Sequence, residues 1–300
     1  MISLDALAAL AHAHSEDMGL PVAPIVIGER AHDSDVEPVF MGIVNMSRDS
    51  SYRESIAHSV DDAVRKARIQ WAQGAAVVDL GAESSWAGTR RVGAQEQIEL
   101  LLPVVEALSA EGIATSVEGY LPEVVDACLA AGTQVVNLTG RADDDTMFSL
   151  SAEHAATLVL CQIAGDNVRD GADLTRDRDP LPEMIEHFES RVARARELGV
   201  EHIVLDPGMG FHYGNLVEPM DRTRHQIAVF LNSFRLRRLG LPICHAMPQA
   251  IQIFGEELRT AEAFFAVMAR LGGTGLFRTH EVPRVRAALT ALNTLDTAAW

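Results

Sequence analysis

What this 300-residue sequence has little of narrows its identity first. Its three cysteines, Cys128, Cys161 and Cys244, stand far apart in the apolar stretches DACLAAG, LVLCQI and LPICHA. No C-x-x-C pair exists, so neither a disulfide framework nor a Cys/His zinc site is read here, and small buried thiols in a reducing compartment are expected. No apolar run approaches the roughly 18 residues of a membrane span. The amino terminus lacks the basic region, apolar core and small-residue cleavage site of a secretory signal, so a cytoplasmic protein is expected. Basic residues number 25 against 42 acidic ones, a net charge of -17. That balance argues against a nucleic-acid partner, because phosphate binding needs a basic face. An anionic small substrate stays open, since a few arginines can reverse the field inside one pocket.

What is present is an ordinary globular composition, 48% hydrophobic and 22% charged, with a regular rhythm. Residues 1–38 read as an extension: a short helix from Met1 to about Gly19, then a small strand within PVAPIVIGER. Residues 39–300 read as one domain. Short apolar runs recur at VFMGIVN, AAVVDLG, IATSVEG, TQVVNLTG, ATLVLCQI, HIVLDPG, LPICHAM and TGLFRT. They are rich in Val, Ile and Leu without polar alternation, the pattern of strands buried on both faces of a parallel sheet. Between them lie stretches with apolar residues at three- and four-residue spacing, such as VDDAVRKARIQWAQG, AQEQIELLLPVVEALSAEG and RTAEAFFAVMARLGG, several closing on glycine. Strand and helix alternating eight times predicts an α/β fold, a (β/α)₈ TIM barrel with a short N-terminal extension. A doubly wound open sheet is the runner-up; the first strand is not followed by a Gly-rich phosphate loop.

Such barrels carry their chemistry at the carboxyl ends of the strands. Asn45, Asp79, Glu118, Asn137, Gln162 and Asp206 end the first six runs in turn, His245 lies near the end of the seventh, and Arg278 with His280 closes the eighth. Any one of these is ordinary as a helix N-cap; together they form a ring. Carboxylates and amides in one mouth match a flat heterocycle with several donors and acceptors, a carboxylate pairing bidentately with a guanidine-like edge. Arg278 and His280 suit an anion such as phosphate.

At these residues the sequence resembles the dihydropteroate synthase family, which condenses a pterin methyl-pyrophosphate with p-aminobenzoate. MGIVNMSRDS is similar to that family's first strand and loop, VVDLGAESSWAG to its second, HIVLDPGMGF to its sixth and LFRTHEV to its eighth. SVEGYLPEVVDACLAAGTQVVN resembles the third and fourth strands with the helix between. The similar segments run in order from about Met41 to Ala288. The resemblance implies that Asp206, Asn137 and Glu118 bind the pterin ring, with Gln162, Asp79, Ser85 and Arg48 also in the substrate site. It implies Phe211 near the aminobenzoate, Asn45 on Mg²⁺ and pyrophosphate, and Arg278 with His280 as the anion-binding pair. Asp206, Arg278 and His280 would carry the catalysis, electrostatically. The family is commonly homodimeric through late barrel helices, and TAEAFFAVMARL is compatible with that.

The departures fall on the same positions. Pro248, Gln249 and Ala250 stand where the family has Ser-Arg-Lys, and the loss of two cations there removes about 1.5–3 kcal/mol of anion stabilisation for each charged hydrogen bond. Trp86 replaces an arginine and Ala87 a proline; Arg48 replaces a proline and supplies a cation from another direction. Glu118 is one methylene longer than the usual Asp, and Gln162 stands where the family often has His. A synthase condensing a pterin pyrophosphate with p-aminobenzoate or a related nucleophile, in a repurposed pocket, is the expected function. The alternatives are a methyltetrahydrofolate-binding methyltransferase-like protein, which IGER before the barrel resembles, and a non-catalytic pterin-binding paralogue. Outside this set, Asp143, Asp144 and Asp145 read as a solvated helix cap, and His187, His202 and His225 carry no ligand spacing. His212 and Tyr213 read as loop rim, and Gly165 to Pro180 as a candidate lid.

Overall fold

In the computed structural model, residues 2–49, 52–170, 173, 179–211, 213, 216 and 218–294 are described. Helix α1 (Leu4–Ala13) starts at Ser3, whose hydroxyl accepts the amide of Ala6, and precedes a hairpin of β1 (Ile25–Ile27) and β2 (Arg30–His32). Eight parallel strands follow: β3 (Val39–Asn45), β4 (Val77–Gly81), β5 (Thr115–Gly119), β6 (Val135–Leu138), β7 (Thr157–Cys161), β8 (Ile203–Asp206), β9 (Cys244–Ala246) and β10 (Leu276–Thr279). The helices are α2 (Val60–Ala72), α3 (Ala94–Ala110), α4 (Pro122–Ala130), α5 (Asp144–Glu153), α6 (Leu181–Glu197), α7 (Pro219–Asn232), α8 (Ile251–Phe254), α9 (Leu258–Leu271) and α10 (Val282–Asn293).

Every apolar run of the sequence became a strand. Each strand from β3 to β7 pairs with the next, β3 also pairs with β10, and β10 with β9. The circle closes between β8 and β9 through a parallel bridge of Leu205 with Ile243. That seam is short because Pro242 can accept the amide of Leu205, at 2.9 Å, but has no N–H to return. The runner-up open sheet is thereby set aside.

Strand alternation divides the apolar residues into two clusters. Val44, Val78, Leu80, Val117, Val136, Leu158 and Leu205 face the helices. Val39, Met41, Val77, Val135, Val159, Val204 and Leu276 fill the barrel interior. The hairpin belongs to the second cluster: Ile25 and Ile27 enter the interior and are almost wholly buried, and the hydroxyl of Thr157 donates to the carbonyl of Val26. The extension is therefore a plug in the base of the barrel, and among the described residues the polar side chains of the interior gather at the opposite end. Ile25→Ala should cost about 2–5 kcal/mol through transfer and cavity terms. Urea denaturation checks this, and a midpoint unchanged from the parent would show that the plug carries no load.

Candidate active site

The strand ends bring their polar side chains into one buried layer. Asp79 on β4 accepts the hydroxyl of Ser116 at 2.5 Å and the amide nitrogen of Asn137 at 3.0 Å. Its second oxygen also accepts Nε of Arg278 at 2.7 Å. The same guanidinium reaches Glu118 on β5 through Nη2 at 2.5 Å. Asn137 continues the chain to Cys161, whose Sγ lies 3.5 Å from its amide oxygen. Asp206 ends β8 and accepts the backbone N–H of Gly208 at 2.8 Å. Gly208 holds φ at +78° and packs against Phe211 and Tyr213, so a side chain there would be both strained and crowded.

Three carboxylates and one arginine share this layer, and burial acts strongly on Asp206, Glu118 and Arg278. Asp206 is pushed up to about 6, chiefly by burial, with the Gly208 N–H and Arg278 pulling the other way. Burial raises Glu118 as well, against the pull of Arg278. Burial alone would lower Arg278; Glu118 and Asp79 outweigh it and hold the guanidinium charged. The layer keeps an acidic character, which suits a donor-rich ring edge.

Above it opens a cavity of about 270 Å³. Asn45, Ser85, Glu118, Arg278 and His280 form one wall; Arg222 and the segment Pro248–Ile251 form the other. Asp79, Asn137 and Asp206, 0%, 2% and 3% exposed, are not among the residues that line this space, and Asp79 is bonded to Arg278, which is. Ala250 adopts a left-handed backbone, φ +42°, in the segment that lacks the family's two cations. Arg222 on α7 restores one cation to that wall, donating to the carbonyl of Phe211 at 3.0 Å, and burial lowers its pKa. His280 donates Nδ1–H to buried Glu262 at 2.8 Å and stacks on Tyr52 at 4.4 Å between ring centroids.

The other expected residues are placed as follows. Gln162 points away from the mouth, because Cys161 before it points inward; it lines a second cavity with Arg141, His187 and His225. Arg48 stands exposed on its loop and is not part of the cavity wall. His245 faces outward from β9, wholly buried against Phe230 and bonded to Ser233 at 2.8 Å, and burial lowers its pKa to about 3. Phe211 packs on the interior cluster below the cavity. Asp144 and Asp145 stand in the first turn of α5, after the N-cap Asp143, and pair with Arg191 and Arg194 of α6, each at 2.6 Å. His212, and 171–172 with 174–178 of the candidate lid, lie outside the described residues. The described start of that segment is pinned, since buried Arg169 donates to the carbonyls of Ser84 and Thr89, both at 2.6 Å, and braces the second loop. Ser116, Arg222, Arg169, Tyr52 and Glu262 were not singled out from sequence. Ser116 sits two residues before Glu118 on the same face; the others come from helices and loops, where no periodicity marks them.

Among the described residues, the one His/Asp/Glu group close enough to ligate a metal is His14, Glu16 and Asp17, far from the mouth, and Asp17 is already paired with Arg238 at 2.5 Å. In the mouth the amide of Asn45 is oriented by donating to Ser55 at 2.6 Å. One neutral oxygen donor fits Mg²⁺ that keeps most of its water and rides on a phosphate, not a resident ion. No described helix is long and apolar enough to cross a membrane.

The family model described as pterin binding enzyme matches residues 41–280. A dihydropteroate synthase of Synechocystis sp. is 31% identical over 225 residues, covering 73% of this chain and 74% of its own. A type-3 dihydropteroate synthase of Escherichia coli is 32% identical over 254 residues, 83% of this chain and 95% of its own. Among solved structures, the Thermus thermophilus dihydropteroate synthase in complex with 4-aminobenzoate superposes with a TM-score of 0.73 at 25% identity, covering 91% of this chain and 100% of that one. The Xanthomonas albilineans enzyme with 4-aminobenzoic acid gives 0.76, at 25% identity, with 91% and 98% covered.

A carboxyl held near 6 favours its neutral form in the folded chain. The stability it contributes is present below the ordinary Asp value of about 3.9 and is lost as pH rises through about 6. Asp206→Asn should therefore raise Tm by about 5 °C at pH 8, from a burial penalty of about 3 kcal/mol, and change it little at pH 4. Scanning calorimetry at the two pH values checks this; an equal shift at both would contradict the buried charge.

Proposed function

Because this chain belongs to the pterin-binding enzyme family, whose matched relatives are dihydropteroate synthases, we propose that it condenses a pterin methyl-pyrophosphate with p-aminobenzoate or a related arylamine. The observation that carries the reading is the guanidinium of Arg278 held between Asp79 and Glu118 inside the barrel. A pterin presents the same N–C–N donor edge as a guanidinium, so these carboxylates, with Asn137 and Asp206, match the ring in shape and charge. On ring entry Arg278 exchanges partners, leaving the acidic layer for the pyrophosphate.

In this reading Asp206 and Asn137 hold the ring, and Glu118 takes its amino edge. Arg278 and His280 flank the departing pyrophosphate, with Ser85 and the second loop beside it. Arg222 faces the second substrate across the cavity, on the wall where Pro248, Gln249 and Ala250 contribute no charge. Asn45 would hold Mg²⁺ brought in on the pyrophosphate, and the ion's chemistry there is neutralisation of the leaving group's charge. The buried carboxylates oppose positive charge developing at the pterin methylene, and their low-dielectric setting strengthens the effect. Phe211 packs beneath the amine site.

The same reading puts the protein in the cytoplasm, supported by three buried free thiols. It also assigns two copies per assembly, supported by Phe264 and Leu271, which leave α9 with exposed apolar side chains. The methyltetrahydrofolate reading is favoured by the missing cations and by IGER before the barrel, and Arg278 with His280 at the mouth favours the synthase.

Titration with pterin pyrophosphate and with methyltetrahydrofolate, each with and without Mg²⁺, separates the readings. Release of pyrophosphate on adding p-aminobenzoate is the expected result. Tight ring binding without release would make the chain a non-catalytic paralogue, and failure to bind either pterin would remove both enzyme readings. Asp206→Asn should weaken ring binding at least tenfold, about 1.4 kcal/mol, because a buried charged contact is lost while the fold is made more stable. Calorimetric titration checks it, and an unchanged affinity would defeat the role given to Asp206.

A further inference from the structure

The second loop, residues 82–93 between β4 and α3, brings Glu83, Ser84 and Ser85 to the cavity wall. It buries no apolar side chain beyond Ala82, and Trp86, Ala87, Gly88 and Arg90 are exposed. Packing therefore does little to hold it, and its place is set by polar ties. Nη1 of Arg169 donates to the carbonyl of Ser84 at 2.6 Å and to the hydroxyl of Thr89 at 3.2 Å; Nη2 donates to the carbonyl of Thr89 at 2.6 Å. The Thr89 hydroxyl passes its own proton to the carbonyl of Trp86 at 2.8 Å. The same guanidinium stands 3.5 Å from Glu83, and both side chains are buried. Glu83 accepts the N–H of Val92 at 2.9 Å and the hydroxyl of Tyr120, so the start and the end of the loop meet on one ion pair. The arm that carries Arg169 is fixed as well. Beyond the end of β6, Val168 donates its N–H to Thr139 at 2.9 Å, Arg141 donates its own to Asp166 at 2.8 Å, and Asn167 bridges to Gly140. All of these partners belong to the chain, and Arg169 lines neither the mouth nor the second cavity.

We propose that Arg169 is a positioning residue that holds the second loop in place ahead of substrate, so that Ser84 and Ser85 meet the pyrophosphate end of the ring substrate without an ordering step. The assignment of that end to this wall rests on the synthase reading; the holding of the loop does not. A loop ordered only on binding subtracts its lost conformational freedom from affinity, and one ordered beforehand does not. Two carbonyls and a carboxylate on one planar guanidinium make charge-assisted contacts, which outlast neutral ones and fix direction as well as distance. The arrangement also answers an electrostatic difficulty. Glu83 is a carboxylate on the wall of a cavity that the synthase reading gives to an anion, and the buried cation behind it offsets its field. Wall contacts made in ground and transition state alike lower KM and leave kcat as it was. Loss of Arg169 should therefore be felt in binding.

Amide hydrogen exchange on the full-length protein, without ligand, tests the holding of the loop. In the parent, the N–H groups of Thr89 and Val92, bonded to Trp86 and Glu83, should exchange at least 100-fold more slowly than in an unstructured peptide. Arg169→Met should quicken both at least tenfold and leave the amides of β4 and β5 unchanged. Steady-state kinetics test the consequence: KM for pterin pyrophosphate should rise at least tenfold in Arg169→Met, with kcat within threefold. Arg169→Lys keeps the cation beside Glu83 but reaches only one carbonyl, and should fall between parent and Arg169→Met in both measurements. Fast exchange across the loop in the parent, exchange unmoved by Arg169→Met, or a loss confined to kcat would overturn the proposal; the last is what a smaller folded fraction would give. Should Arg169→Met fail to fold, the parent and Arg169→Lys decide: slow exchange that quickens with Lys upholds the idea, and fast exchange in the parent ends it. A parent that turns over no pterin pyrophosphate with p-aminobenzoate fails the synthase reading alone, because the exchange data still decide whether Arg169 holds the loop.

Discussion

A guanidinium inside a barrel is tolerated only while carboxylates share its desolvation, and that condition organises the mouth of this protein. Arg278 enters from β10 and is held by Asp79 of β4 and Glu118 of β5, so one side chain ties three strands together. Asp79 in turn orders Ser116 and Asn137. Removing the arginine would leave two buried charges without a partner, the costly half of breaking a buried pair. The same layer that stabilises the open mouth is thus a template for a ligand with a similar edge.

The rest of the molecule serves that layer. The hairpin of β1 and β2 fills the base of the barrel with isoleucine, which leaves the carboxyl end as the place where the interior can be polar. Arg169 braces the second loop from beneath, and Glu262 gathers the β10–α10 turn around His280. These supports come from segments far apart in the chain. Each is a buried charge with several partners, and such groups cost stability unless all are satisfied.

Three of the departures from the family pattern lie together on one wall. Pro248, Gln249 and Ala250 remove positive charge at the end of β9, and Arg222 brings a cation to the same wall from α7. The acidic floor is retained, with Glu118 reaching one methylene further to meet Arg278. The acidic layer is thus kept while the charge on the facing wall is rearranged. Asp206, raised to about 6, sits where affinity and stability pull in opposite directions.

The sequence by itself determined the barrel, its eight strands and the polar residue at each strand tip, because parallel strands buried on both faces leave unbroken apolar runs with punctuation at their ends. The resemblance of those tips to a family carried Asn45, Glu118, Asn137, Asp206, Arg278 and His280 to one end of the fold. Only the tertiary structure decided which tips face inward. Gln162 and His245 sit one residue out of phase with the interior and turn to the helices, a difference that composition cannot register and the pleat enforces. The tertiary structure alone also brought Glu262 to His280 and Arg222 to the cavity, since contacts between helices and loops distant in sequence follow from packing and have no period to read.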